Sequence, residues 1–191
     1  MVAVTSNMLE LGTKAPAFTL PDPDGVEHRL SDAEGSPTVV VFLCNHCPFV
    51  KMLADELGRL AREYGAEGVR FFGINSNDIE AYPQDGPEAM KVESARRGYT
   101  FPYLLDASQD VAKAYLAACT PDFFVFDAEH RLYYRGQFDD ARPSNGIVPD
   151  GRDLRRALDS LLASEPSPAE QKPAMGCNIK WKPGNAPNYF G

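Results

Sequence analysis

Cysteine is scarce in this chain: four in 191 residues, at 44, 47, 119 and 177. So few, with two of them isolated, exclude a disulfide-stapled scaffold and leave no second pair to complete a tetrahedral zinc site. Positive charge is also short, with 19 Lys and Arg against 27 Asp and Glu and a formal net charge of −8. That balance provides no basic stripe for nucleic acid or an anionic membrane surface. No apolar run approaches a membrane span, and residues 1–11 lack the charged start and apolar core of a secretion signal. A cytoplasmic protein is the expectation. There thiols stay reduced, so a cysteine pair reads as catalytic rather than structural.

What is present is concentrated at residues 39–48, Val-Val-Val-Phe-Leu-Cys-Asn-His-Cys-Pro. The β-branched apolar run reads as a buried central strand, and Leu53, Leu57, Leu60 and Tyr64 after it recur at helical spacing. The cysteines therefore sit where a strand hands over to a helix. Unpaired N–H groups and the positive end of the helix dipole favour a thiolate at Cys44, and His46 adds a positive charge beside it. On that reading Cys44 is the accessible nucleophile. Cys47, one turn further on the same face, attacks the mixed disulfide from within.

The rest of the chain patterns as alternating elements. Residues 15–20 and 26–30 read as an N-terminal hairpin about the turn 21–25. After Gly65 and Gly68 the apolar run 69–74 completes strand, helix, strand, hence a parallel crossover. The polar loop 75–83 leaves that strand at the sheet edge that carries Cys44, where open α/β sheets collect ligands. Residues 87–97 read as a helix with Gly98 as its stop, 103–105 as a strand, 108–115 as a helix, and 123–126 with 132–135 as an antiparallel hairpin. Asp150 with Asp153 is placed to cap a last helix whose stripe is Leu154, Leu158, Leu161 and Leu162. His28 and His130 fall at turns and read as surface histidines.

This order, with C-x-x-C closing the first long strand, resembles the thioredoxin-like superfamily. The branch it is similar to is the redoxin, or AhpC/TSA (thiol-specific antioxidant), branch, which also includes thiol-disulfide oxidoreductases. The resemblance covers about residues 10–163. It implies an α/β fold, a central mixed β-sheet flanked by helices, with an N-terminal β-hairpin and an inserted helix-strand segment. Thr120-Pro121, just before the strand at 123–126, matches the family's signature loop. That match implies a cis Pro121 opposite the cysteines, in a loop that holds a substrate's backbone and keeps metals out. Cys44-Asn45-His46-Cys47, followed by Pro48, looks like the oxidising isomerase-type motifs, in which histidine stabilises the reduced thiolate.

Two departures from the pattern carry weight. Peroxidase-type members place a hydroxyl residue where this chain has Val41, which cannot hydrogen-bond a peroxide. Many thioredoxins bury a carboxylate where this chain has Thr38, which leaves the proton acceptor for Cys47 unassigned, with His46 a candidate and Asp122 and Asp139 weaker ones.

The domain reading is a redoxin domain over 1–163 and a Pro-rich tail over 164–191. The tail holds the only tryptophan, so it is expected to fold onto the body or onto a partner subunit, with Trp181, Tyr189 and Phe190 as anchors. Cys119 adjoins Thr120-Pro121 and is expected near the C-x-x-C pair, and Cys177 is a candidate resolving or shuttling thiol. The bland reading of both is a small buried hydrophobe. The function expected is thiol-disulfide oxidoreductase, with protein or small-molecule disulfides and a thiol electron donor as partners and no cofactor or metal. A thiol-dependent peroxidase is the alternative. A copper-binding chaperone ranks third, because redoxin relatives of that kind space their cysteines one residue wider and carry histidine near the position of Thr120-Pro121.

Overall fold

Alternation along residues 38–42 decides how the core divides, because successive side chains of a strand point to opposite faces of the sheet. Val39 and Val41 join one buried cluster; Val40 and Phe42 join another on the far side. The computed structural model describes residues 3–190. Its elements run β1 (Ala3–Thr5), β2 (Thr19–Pro21), β3 (Glu27–Arg29), β4 (Thr38–Phe42), α1 (Pro48–Ala66), β5 (Arg70–Asn75), α2 (Pro87–Arg97), β6 (Tyr103–Leu105), α3 (Asp110–Ala114), β7 (Cys119–Thr120), β8 (Asp122–Phe126), β9 (Leu132–Gly136), α4 (Arg152–Leu162) and β10 (Met175–Asn178).

The main sheet has the order β6-β5-β4-β8-β9, with β4, β5 and β6 parallel and β8 and β9 antiparallel. β4 is central and covered on both faces, which is why it carries no polar alternation. One face is filled by α1 and α4 through residues such as Leu53, Leu57, Leu154 and Leu158. The other is an aromatic layer in which Tyr115 meets Phe42, Phe124 and Phe126 edge-on at centroid distances of 5.6, 5.7 and 6.0 Å. Each such ring taken out of water is worth about 1.5–3 kcal/mol, so the two layers supply the main drive to fold.

The expected N-terminal hairpin is present but shorter: β2 and β3 pair over three residues each, and residues 15–18 run into it as extended chain. The segment between the crossover and β8 contains α2, β6 and α3 as read from the sequence. Unread there is a second, three-stranded sheet with the order β1-β10-β7. It lies beside the main one and joins the N-terminal segment to the tail. None of its strands exceeds four residues. Pairing rather than propensity holds them.

The tail beyond α4 packs on its own chain. The Asp78 N–H donates to Lys180 O at 2.8 Å, Gln109 bonds both Lys180 O and the Lys182 N–H, and the Tyr189 hydroxyl reaches Ala112 O and Ala117 O. Trp181 lies against the aromatic face, with Tyr189 and Phe190 each 6.5 Å away. No helix among the described residues is long and apolar enough to cross a membrane.

Candidate active site

Register explains why residues 76 apart in sequence meet. β8 runs antiparallel to β4 with Asp122 opposite Phe42, so the residues just before Asp122 stand level with those just after Phe42. Thr120-Pro121 is thereby brought against Cys44 and Cys47, and its peptide bond is cis. Thr120 Oγ1 lies 3.5 Å from Cys44 Sγ, and Cys47 Sγ lies 3.1 Å from Thr120 O. Cys47 is the N-cap of α1 and Pro48 its first residue, where a missing N–H costs nothing. Cys44 precedes the helix in the connecting bend rather than sitting at its N-terminus.

His46 is held by a carboxylate that the sequence did not single out. Asp85, wholly buried just before α2, accepts four N–H bonds: Asn45 N at 2.9 Å, His46 N at 3.1 Å, Asn77 Nδ2 at 2.9 Å and His46 Nδ1 at 2.5 Å. The ring of His46 stacks on Tyr82 at 5.3 Å and 9°, with Nδ1 3.9 Å from Cys44 Sγ. Asn45 is clamped as well, donating to Gln84 O at 3.0 Å and accepting from the Tyr103 hydroxyl at 3.0 Å. The polar loop after β5 does flank the site. Its signal in the sequence was the run of Asn and Asp that leaves the carboxyl end of a parallel strand, and Asp85 stands two residues beyond the segment singled out.

A third sulfur completes the cluster. β10 lies against α1, which puts Cys177 in the same buried cluster as Cys44, Cys47 and Val50. The Cys177 and Cys44 thiols and the Cys177 and Val50 N–H groups act as hydrogen-bond donors in the electrostatics of the Cys47 sulfur. Those donors pull the Cys47 pKa well below the ordinary thiol range, with the Cys177 and Cys44 thiols the largest causes. Cys44 is pushed the other way, first by its hydrogen bond to Cys47, then by burial and by the negative charge of Asp85. Cys177 is raised by donating to Cys47 and by burial. The fold thus lowers Cys47 and raises Cys44, the reverse of the order expected from the sequence. Accessibility is corrected too. Cys44 is 1% exposed and Cys47 0%, because Thr120 and the tail strand close over them. A cleft of about 490 Å³ opens on the His46 side, walled by Asn45, His46, Lys51, Gln84, Glu88 and Val92 among others.

Other singled-out residues lie elsewhere. Cys119 neighbours Thr120 on a strand, so its side chain leaves the opposite face, and its sulfur sits 3.5 Å from Pro121 O rather than in the thiol cluster. Burial raises its pKa well above that of an ordinary thiol. Asp139 is a loop staple, accepting Ala141 N, Asp150 N and Gly151 N at 2.7–2.8 Å. The N-cap of α4 is Gly151, and Asp150 accepts the Arg152 N–H from one residue before it. His130 is buried, with Nε2 3.3 Å from Ala33 O, and His28 is half-buried beside Asp22 at 3.1 Å. Neither is the exposed turn histidine expected, because His28 is the middle residue of β3, paired with Leu20, and the turn that carries His130 packs on Ala33.

Cys44 Sγ, His46 Nδ1 and an Asp85 oxygen lie within 4.8 Å of one another, so three groups of metal-ligand type do converge here. Asp85 is saturated with N–H donors, an arrangement that holds a histidine rather than an ion. No disulfide links any of the four cysteines. Two sulfurs of a C-x-x-C turn, both against Thr120 beside a cis-proline, can exchange with a disulfide.

The sequence profile of the AhpC/TSA family matches residues 11–135. The chain belongs to the AhpC/TSA family. A thiol-disulfide oxidoreductase ResA from Geobacillus thermodenitrificans is 29% identical over 124 residues, 64% of this chain and 66% of that protein. The AhpC/TSA chain thus spans just under two thirds of that relative. The crystal structure of an uncharacterized conserved protein from Geobacillus kaustophilus is 55% identical with a TM-score of 0.94, covering 96% of this chain and 98% of that one. A thiol:disulfide interchange protein of the thioredoxin family from Chlorobium tepidum superposes with a TM-score of 0.62 at 19% identity, covering 81% of this chain and 99% of that one. This AhpC/TSA member has the thioredoxin-like fold, a central mixed sheet flanked by helices.

Proposed function

We propose that the chain catalyses thiol-disulfide exchange through Cys44 and Cys47. The observation that carries the reading is the Cys44–Cys47 pair, with both sulfurs against Thr120 beside the cis Thr120-Pro121 bond. Cys44 attacks one sulfur of a substrate disulfide, and its proton crosses the shared hydrogen bond to the Cys47 thiolate. The departing thiolate then takes that proton from Cys47. Cys47 attacks Cys44 Sγ, a Cys44–Cys47 bond forms, and the second substrate thiolate leaves. The near-closed pair favours small or extended disulfides over folded ones. A dithiol donor would reduce the enzyme disulfide for the next cycle.

The test uses the disulfide of 5-thio-2-nitrobenzoate as substrate. Cys47→Ser is expected to hold one thionitrobenzoate as a mixed disulfide on Cys44, found by mass after digestion, while the wild type releases two equivalents. Trapping on another cysteine, or release by Cys44→Ser at the wild-type rate, would overturn the assignment. Peroxide consumption faster than disulfide turnover would favour the peroxidase reading. Val41, wholly buried in the sheet, supplies no hydroxyl to support it.

A further inference from the structure

We propose that Cys177, on the tail strand, is a third redox position that takes over the disulfide from Cys44 by bonding to Cys47. The inference rests on the thiol-disulfide reading above and deepens it. Three observations place the sulfur. Cys177 is buried in the same cluster as Cys44 and Cys47, opposite the Thr120 whose carbonyl lies 3.1 Å from Cys47 Sγ. β10 is the middle strand of its sheet, with Cys177 opposite Ala3 on one side and Thr120 on the other. Gly176 fixes the approach, since a Cβ there would lie 2.0 Å from Thr120 O. Only a glycine lets the strand come close enough for the next residue to reach the C-x-x-C pair.

The step is an internal exchange and needs no further oxidant. Once Cys44 and Cys47 have closed a disulfide, the second departing substrate thiolate takes the Cys177 proton. The Cys177 thiolate attacks Cys47 Sγ, the Cys47–Cys177 bond forms, the Cys44–Cys47 bond breaks, and Cys44 leaves as a thiolate. One substrate disulfide becomes two thiols, and the chain has lost two electrons wherever its single disulfide rests. The transfer returns the outer sulfur to its reduced form while the oxidised bond lies between α1 and the tail. It also ties β10 covalently to the helix that carries the site. A dithiol donor must then attack this inner bond, or drive the exchange backward, to reset the chain.

The experiment equilibrates the full-length reduced protein with glutathione disulfide, quenches with acid, alkylates the remaining thiols and maps disulfides by digestion and mass. In the wild type both Cys44–Cys47 and Cys47–Cys177 peptides are expected. In Cys44→Ser, alkylation is expected to be lost together at Cys47 and Cys177 through a Cys47–Cys177 bridge; in Cys177→Ser only Cys44–Cys47 should form. Cys47 and Cys177 both alkylatable, or carrying only glutathione, in Cys44→Ser would overturn the proposal. Should that variant not fold, a wild-type map holding Cys44–Cys47 alone overturns it equally. Turnover of a disulfide with a dithiol donor is measured in parallel on the wild type. Turnover without the inner bridge sinks this proposal and leaves the function standing, whereas the bridge without turnover does the reverse.

Discussion

Asp122 is wholly buried where β8 begins, with Oδ2 accepting the Ala118 N–H at 3.2 Å and Oδ1 without a partner. Burial pushes its pKa from 3.8 up to about 8. Between those values the folded chain keeps a proton that the unfolded chain has lost. Its contribution to stability therefore falls as pH rises through that window, by up to about 1.4 kcal/mol per pH unit, and levels off above it. Cys47, whose pKa the fold lowers, contributes a slope of the opposite sign, so the informative quantity is the difference from Asp122→Asn. That variant is expected to gain stability relative to wild type between pH 5 and pH 8.5, read from denaturant unfolding under reducing conditions. At Asp85 the expected effect is on reactivity. Asp85→Asn removes a negative charge that raises Cys44, so the pH profile of Cys44 alkylation should move down. Leaving buried donors short of an acceptor should cost about 1–3 kcal/mol of stability.

At the scale of elements, β10 closes the site. Its sequence, Met-Gly-Cys-Asn, has neither the alternation nor the β-branched residues of a strand, and it pairs because β1 and β7 offer edges on either side. The clash at Gly176 makes a sharp prediction. Gly176→Ala should lift β10 from β7, cost about 1–3 kcal/mol as an overpacking change, and raise the alkylation rate of Cys47 at fixed pH. An unchanged alkylation rate would mean that β10 does not seal the pair. Elements with their own signals were legible without any structure. α1 has its apolar stripe, α2 opens on Pro87 and ends before Gly98 at φ 63, and β4 is a continuous β-branched run. β1, β7 and β10 have no such signal, so a reading of local pattern passes over them.

Across the molecule, the tail behaves as a wall of the domain. Hydrogen bonds from Asp78, Gln109 and Lys113 hold residues 180–185, and Ile179 and Trp181 cover the aromatic face. Amide hydrogen exchange should therefore find the Cys177 and Ile179 amides protected well beyond the β2–β3 hairpin, whose two strands make an isolated pair. Fast exchange at β10 in the reduced protein would make the tail a flap rather than a wall. The acidic surface, at a net charge of −8, should disfavour strongly anionic disulfides, with a turnover penalty that shrinks as salt rises.

Local pattern alone determined a central strand delivering Cys-Asn-His-Cys to a helix, the crossover that follows, and a Thr-Pro step before an antiparallel hairpin. Each depends on spacing within a few residues, which period and propensity encode directly. Tertiary structure decided what surrounds the sulfurs: Asp85 holding His46, Cys119 turned away, and Cys177 brought against Cys47. Those contacts join residues tens of positions apart, and the register of β8 on β4 and of β10 on β7 creates them. Which thiol carries the charge follows from the donors so gathered, and no single stretch of chain contains them all.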